Sequence, residues 1–189
     1  QEMIGKVIRE EESAFLKTNT YQQMMVVDAP EDLLAGIHHQ SVLKIKLEID
    51  TNPPTGFNTE MKYVFSPVQF AVRTYDLPSL FAGKLHAVLC RKWKNRVKGR
   101  DWYDFAWYVS NHPKVNIFHL EQRMRESGHY NHSKPLTKGM VIEFIENATD
   151  HLDIRMAKEE VLPFVADKRD LEIWSNEFFR AAAEKIIFE

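Results

Sequence analysis

The sequence predicts an α+β fold in which a small sheet precedes a bundle of helices. Residues 42–50 alternate aliphatic with charged side chains, which is the pattern of a strand that buries one face. Residues 61–65 and 69–73 contain aromatic and β-branched side chains, and they predict two further strands. After residue 77 the apolar side chains recur with helical spacing instead. Helices are predicted near residues 77–92, 100–110, 117–127, 137–149, 151–162 and 171–187.

The part of the chain before the helices is less regular, and we predict three more elements in it. They are a helix over residues 3–17, a strand over 21–27 and a short helix over 30–34. Residues 1–75 are therefore predicted to form an α/β portion. Residues 76–189 are predicted to form a helical portion.

Composition limits the class of protein. The 189 residues are 44% hydrophobic and 28% charged, which is typical of a soluble globular chain. A net charge of −2 makes no case for nucleic-acid binding through overall charge, so any such binding needs a local patch. The single cysteine, Cys90, excludes an internal disulfide, and no apolar run is long enough to span a membrane. We therefore expect a cytoplasmic protein, and a first residue of Gln1 indicates that the natural start is missing.

Two acidic residues share the polar face of the strand at residues 42–50. Glu48 and Asp50 lie two positions apart, beside Lys44 and Lys46. Alternating charges of this kind often form cross-strand pairs on an exposed face. Two neighbouring carboxylates can instead hold Mg²⁺ together with phosphate oxygens of a substrate. The pattern alone does not choose between these roles.

Four charged residues of the first two predicted helices stand out because of where their spacing places them. Lys84 falls within the apolar stripe of the first helix, and Arg91 lies two turns further along the same line. The next helix begins with Asp101 and Asp104, one turn apart on one side. Because an unpaired buried charge is severely unfavourable, the four groups either neutralise one another or surround a charged ligand. The stripe consists of Leu77, Leu80, Phe81 and Val88.

The loop between those two helices is strongly basic. It contains six cationic residues within ten positions, and Trp93 lies among them. Such a loop is either a solvated connection or a funnel for a polyanion, with the indole available for base stacking. The six residues are Arg91, Lys92, Lys94, Arg96, Lys98 and Arg100.

His86 and Cys90 are spaced as two metal ligands would be on one face of a helix. No second pair with comparable helical spacing follows, since His129 and His132 lie in a polar loop far along the chain. We therefore predict a structural role for His86 and Cys90. The sequence contains no Gly-rich phosphate loop and no nucleophile elbow.

Two segments resemble one family, the nucleotidyltransferases of the AbiEii/AbiGii toxin type. They are VLKIKLEIDTNPPTGF at residues 42–57 and DLPSLFAGKLHAVLCRKWKNRVKGRDWYDFAWY at residues 76–108, which carries the pattern AGK-L-HA…R…K-GRD-YD. The resemblance implies a polymerase-β-like nucleotidyltransferase fold, with a partial mixed sheet followed by a helical bundle. It also implies Mg²⁺-dependent transfer of a nucleotide from an NTP within a toxin–antitoxin or phage-defence system. The implied partners are the NTP, a separately encoded antitoxin and an RNA acceptor, because some members modify RNA.

The resemblance also implies roles for individual residues. Glu48 is similar to the family's third metal-site carboxylate, and Lys84 is similar to a lysine that contacts nucleotide phosphates. Asp101 and Asp104 are similar to an acidic pair with catalytic or site-organising roles. The charge patterns described above add further expected site residues. They are Arg91 and Arg100 at the nucleotide, Lys46 and Asp50 on the same strand face as Glu48, and Lys94, Arg96 and Lys98 at a nucleic acid.

The family's first motif, a Gly-Ser turn followed by Asp-x-Asp, is absent from this sequence. None of the three candidate glycines, Gly5, Gly36 and Gly56, precedes such a pair. The chain is therefore expected to be the C-terminal portion of a longer enzyme and to be inactive by itself. The alternative is a non-catalytic module that binds an antitoxin or a nucleic acid. A purely structural helical domain with a closed set of salt bridges is a third interpretation.

Overall fold

The computed structural model describes residues 13–15, 46–48, 50–66, 68–91 and 97–189. The chain divides after Pro53 into two compact units. The sequence predicted a different boundary, between an α/β portion at residues 1–75 and a helical portion at residues 76–189. That division stays a prediction. Among the described helices, none combines the length and the apolar character needed to cross a bilayer.

The first unit contains two paired strands. β1 (Ser13–Phe15) runs antiparallel to β2 (Lys46–Glu48), with Ser13 opposite Glu48. The predicted strand at residues 42–50 is therefore confirmed over Lys46–Glu48. The predicted helix over residues 3–17 is wrong at Ser13–Phe15, because hydrogen bonding to a distant strand has overridden the local helical pattern there. The predicted strand at 21–27 and helix at 30–34 lie outside the described residues.

The second unit begins with a β-hairpin. β3 (Thr59–Val64) pairs with β4 (Phe70–Tyr75) in antiparallel register, with Thr59 opposite Tyr75 and Val64 opposite Phe70. Both strands were predicted, and both are confirmed. The amide of Asp76 donates to Asn58 O at 3.1 Å, so the hairpin leads directly into the first helix.

Six helices follow, and polar side chains cap the starts of five of them. The cap residues accept a hydrogen bond from the backbone N–H three positions later, which satisfies a donor that the helix leaves unpaired. They are Asp76, Asn116, Thr137, Asp153 and Ser175. The helices are α1 (Leu77–Cys90), α2 (Gly99–Asn111), α3 (Ile117–Glu126), α4 (Lys138–Asp150), α5 (Ile154–Val161) and α6 (Asn176–Glu184).

Two predicted helices are longer than the observed ones. The helix predicted over 151–162 begins only at Ile154, because Asp153 caps it. The helix predicted over 171–187 is restricted to Asn176–Glu184. A short 3₁₀ turn, Lys168–Leu171, precedes it, and the cap Ser175 sets its start.

The prediction that everything after Leu77 is helical is also wrong at two places. β5 (Lys114–Val115) pairs in parallel with β6 (Ile187–Phe188), and strands of two residues are too short to show alternation. The α+β class is confirmed. The predicted mixed sheet is not seen among the described strands, which form three separate two-stranded sheets.

The core lies where the helices meet. α1 packs against α2, α3 and α4, and α2 also packs against α5 and α6. Phe81 and Phe105 are fully buried there, and Phe81 stacks on Tyr108 with ring centroids 4.9 Å apart. Burying one such side chain stabilises the fold by about 1.5–3 kcal/mol. This aromatic layer fixes α1 and α2 side by side, which sets the positions of their charged residues.

A buried polar junction joins the segment before the hairpin to the helices. Asn116 accepts from the backbone N–H of His119 and donates to Gly56 O, both at 2.9 Å. Ser79 accepts a bond from the backbone N–H of Asn58, also at 2.9 Å. These bonds satisfy groups that would be costly to bury alone.

His119 belongs to this junction, and its ring is fully buried. Nδ1 lies 2.8 Å from Thr55 O. Because a carbonyl oxygen can only accept a hydrogen bond, Nδ1 carries the ring hydrogen and Nε2 is unprotonated. Nε2 is buried and has no partner among the described residues. Burial lowers the pKa of His119, and the bond to Thr55 O opposes that effect in part.

This histidine is expected to contribute to a fall of stability in mild acid, together with His86, whose pKa is also lowered by burial. A histidine in the unfolded chain titrates near 6.5, so below that pH the unfolded state binds a proton that folded His119 resists. The stabilisation is complete above about pH 6.5 and is lost as pH falls towards the lower folded pKa. The free energy of unfolding, measured with urea, should change less between pH 7.5 and pH 5.5 for His119→Gln than for the unchanged protein. His132→Gln, at an exposed position, is the control, and equal differences in all three proteins would contradict the assignment.

Candidate functional site

Two ion pairs join α1 to α2. Lys84 Nζ donates to Asp104 Oδ2 at 2.5 Å, and Arg91 Nη1 lies 3.8 Å from Asp101 Oδ1. The four charged residues singled out from the sequence are therefore neighbours in the structure. They form one charged cluster on the face of the helical hairpin, and we refer to these four residues as the charged cluster.

The predicted burial of Lys84 is wrong. Its side chain is 46% exposed, and Leu80 of the predicted stripe is 41% exposed. α1 buries Phe81 of that stripe together with Ala82 and Leu85, so its inner face is rotated relative to the stripe that the sequence indicated. Lys84 is consequently solvated, and its exposed pair with Asp104 contributes about 0–1 kcal/mol to stability.

Asp101 is the least exposed member of the charged cluster. Its side chain is 14% exposed, and burial is the largest influence on it, which raises its pKa. The positive charges of Arg91 and Lys84 lower the pKa, and the negative charge of Asp104 raises it. Asp101 therefore senses all three of the other groups, so the two ion pairs act as one electrostatic unit.

A small cavity opens beside Asp101. It has a volume of about 150 Å³, and its charged lining residues are Arg91, Lys98 and Asp101. Val88 and Trp102 supply apolar walls. Sites that enclose drug-sized ligands typically measure about 300–1,000 Å³, so this cavity can accommodate one phosphate-sized group but not a whole nucleotide.

The remaining expected site residues lie in different surroundings. The backbone N–H of Arg100 donates to Glu160 Oε2 at 3.1 Å, and its guanidinium lies over the ring of Phe164. Arg100 is therefore held on the α5 side of the hairpin. Asp50 is exposed and accepts from the backbone N–H of Asn52 at 3.0 Å, as in an Asx-turn. Lys46 and Glu48 belong to β2, and Lys94 and Arg96 lie outside the described residues.

Sequence reasoning missed the role of Gly99 at the first position of α2. A Cβ built there would lie 2.0 Å from Ala157 O, so α2 begins in direct contact with the backbone of α5. An added Cβ has no room at this approach unless the backbone shifts. Gly83 of α1 is different, because its added Cβ would meet Arg123 at an ordinary 3.9 Å.

Sequence reasoning also missed a third member of the His86 and Cys90 pair. His129 approaches from the loop after α3, and one ligand atom from each residue lies within 4.8 Å of those of the other two. Burial lowers the pKa of His86 to about 4, and burial raises the pKa of Cys90 to about 11. No fixed sequence spacing relates residue 129 to residue 86, so periodicity gave no signal for this contact.

A family model described as "Nucleotidyl transferase AbiEii toxin, Type IV TA system" matches residues 4–185. A search of curated proteins and a search of solved structures found no match. The match extends over nearly the whole chain and includes both helices of the charged cluster. The chain therefore belongs to the AbiEii family of nucleotidyltransferase toxins of toxin–antitoxin systems.

Proposed function

We propose that this chain contributes the phosphate-binding and acidic part of a nucleotidyltransferase active site, with RNA as the acceptor and a role in phage defence. The observation that carries the proposal is the charged cluster, in which Lys84 and Arg91 face solvent while held against Asp104 and Asp101. Exposed ion pairs add little to stability, so folding alone gives a weak reason for four charges to gather here. A triphosphate would give the two cations a ligand of opposite charge.

In the proposed reaction an acceptor oxygen forms a bond to the α-phosphorus of the NTP while the bond to the pyrophosphate oxygen breaks. The acceptor proton passes to Asp101 or to water, and pyrophosphate leaves. Lys84 neutralises charge that develops on the phosphates, and Arg91, the residue that follows the end of α1, supports it. Asp101 and Asp104 orient these cations, and Asp101, whose pKa is raised by burial, receives a proton more readily than a fully solvated carboxylate.

Magnesium suits the acidic side of the charged cluster only when phosphate accompanies it. Carboxylate oxygens are ligands that Mg²⁺ accepts, but Lys84 and Arg91 beside them repel a bare cation. When bound with the nucleotide, Mg²⁺ would neutralise phosphate charge and stabilise the transition state. Glu48 in β2 is proposed as a metal-site carboxylate on the strength of the family resemblance alone.

Nucleotide transfer is the direct test. The 189-residue chain and the natural reading frame that contains it are each incubated with α-labelled NTPs, total cellular RNA and Mg²⁺, or with EDTA in its place. We expect Mg²⁺-dependent labelling by the natural reading frame. We expect none from the 189 residues alone, because they do not contain the Asp-x-Asp pair. An absence of labelling from the natural reading frame with all four NTPs would contradict the proposal.

A second candidate function is a non-catalytic module that binds a nucleic acid or an antitoxin. The six cations at residues 91–100 favour it, since phosphate contacts of this kind make binding strongly dependent on salt. RNA binding that weakens steeply with salt and is lost on changing Lys94, Arg96 and Lys98 to glutamate would support this candidate. Unchanged RNA binding by Lys84→Ala would separate it from the enzyme.

A further inference from the structure

We propose that His86, Cys90 and His129 form a binding site for a zinc-like divalent metal ion. The site is separate in chemistry from the magnesium expected at the nucleotide. His86 and Cys90 lie one turn apart on α1, and His129 comes from the loop that follows α3. Their three ligand atoms lie within 4.8 Å of one another.

The two imidazoles converge on a common point. Nε2 of His86 lies 2.9 Å from Ser127 Oγ, and Nδ1 of His129 lies 3.0 Å from the same oxygen. The loop that brings His129 there is fixed by its own backbone, because the N–H groups of His129 and Tyr130 both donate to Met124 O. The convergence is therefore built by the end of α3.

The donor set favours a borderline or soft metal. Two imidazole nitrogens and one thiolate sulfur suit Zn²⁺, whereas Mg²⁺ prefers oxygen. In a tetrahedral zinc site, neighbouring ligand atoms lie about 3.4–3.6 Å apart, as follows from Zn–N of about 2.0–2.1 Å and Zn–S of about 2.3 Å. The observed cluster needs to contract by roughly 1 Å, and the exposed side chain of His129 can supply that movement. The Ser127 hydroxyl lies between the two imidazoles, so the metal must displace it or take it as a fourth ligand.

Binding must also accommodate nearby positive charge. Arg123 and Arg91 both act on His86, and Arg123 also acts on Cys90. When the metal binds, the thiol proton leaves to solvent and a sulfur–metal bond forms, so one negative charge is added next to Arg123. The guanidinium then lies beside a thiolate instead of a neutral thiol. This exchange offsets part of the repulsion that a divalent ion meets here.

Cobalt provides the probe, because a Co²⁺–thiolate bond gives a charge-transfer absorption band and tetrahedral Co²⁺ gives visible d–d bands. We expect the full 189-residue chain to bind one Co²⁺ with both signals and to release it on addition of Zn²⁺. Cys90→Ser should remove the charge-transfer band. His129→Ala should weaken binding at least about tenfold, since even the loss of an outer-shell partner costs 10–100-fold.

The matched control is His132→Ala, which removes an exposed histidine of the same loop that is not part of the cluster. It should bind Co²⁺ as the unchanged chain does, and so should Lys84→Ala. The proposal is overturned if the chain shows no thiolate band, or if His129→Ala binds with unchanged affinity. The cluster would then be a hydrogen-bonded network around Ser127. His129 is exposed, so this variant should fold even if Cys90→Ser does not, and neither result bears on nucleotide transfer.

Discussion

Replacing Lys84 with methionine in the natural reading frame should lower nucleotide transfer by at least about 10²-fold, while the free energy of unfolding changes by less than about 1 kcal/mol. Methionine keeps the length of the side chain and removes the charge. The loss of activity follows if the ammonium group neutralises charge that develops on the phosphates. The small effect on stability follows because the pair with Asp104 is exposed. Transfer of label from α-labelled NTPs and urea unfolding measure the two quantities.

Lys114→Met is the matched control for this experiment. Lys114 is also exposed and also forms an ion pair, with Glu189 at 3.3 Å, but it lies in β5 and not in the charged cluster. Its loss should leave transfer unchanged. If Lys84→Met retained full transfer, the charged cluster would instead be a closed set of salt bridges without a role in the reaction.

Replacing Gly99 with alanine should destabilise the protein by about 1–3 kcal/mol, which is the usual cost of overpacking. The added Cβ would lie 2.0 Å from Ala157 O and 2.9 Å from the carbonyl carbon. Backbone atoms cannot rotate away as a flexible side chain can, so α2 must move relative to α5. Urea unfolding measures the loss. Because Asp101 lies in the first turn of α2, a displaced helix should also reduce nucleotide transfer.

Gly83→Ala is the comparison that isolates this close contact. Gly83 lies within α1, where alanine is favoured over glycine by up to about 1 kcal/mol, and its added Cβ meets Arg123 only at 3.9 Å. Its stability should be unchanged or slightly higher. Equal destabilisation by the two substitutions would mean that contact with α5 is not the reason for glycine at position 99.

The sequence predicted most elements of the helical half because its helices are long enough for periodicity and caps to agree. It also predicted that Lys84, Arg91, Asp101 and Asp104 would meet, since two helices joined by a short loop must lie side by side. It did not predict the exposure of Lys84. The apolar stripe included Leu80, and only the packing of α1 against three neighbouring helices decides which side of a broad stripe is buried.

Contacts between distant parts of the chain account for the other differences. The pairing of Ser13 with Glu48 overrode a local helical pattern, and the approach of His129 to His86 has no signature in sequence spacing. The close contact at Gly99 depends on Ala157, which lies in another helix. Each of these contacts is specified by tertiary packing, so a pattern read within one segment cannot report it.

The parallel pairing of β5 with β6 constrains the order in which this protein can fold. Lys114 lies opposite Ile187, about 70 residues later, and the amide of Ile117 at the start of α3 donates to Glu189 O. The pairing of β5 with β6 and the bond at the start of α3 therefore cannot form while the ribosome still covers residues 187–189. Such long-range closure slows folding. We expect the helical unit to be completed only after residues 187–189 have emerged from the ribosome, so a segment made early in this unit waits for one made about 70 residues later.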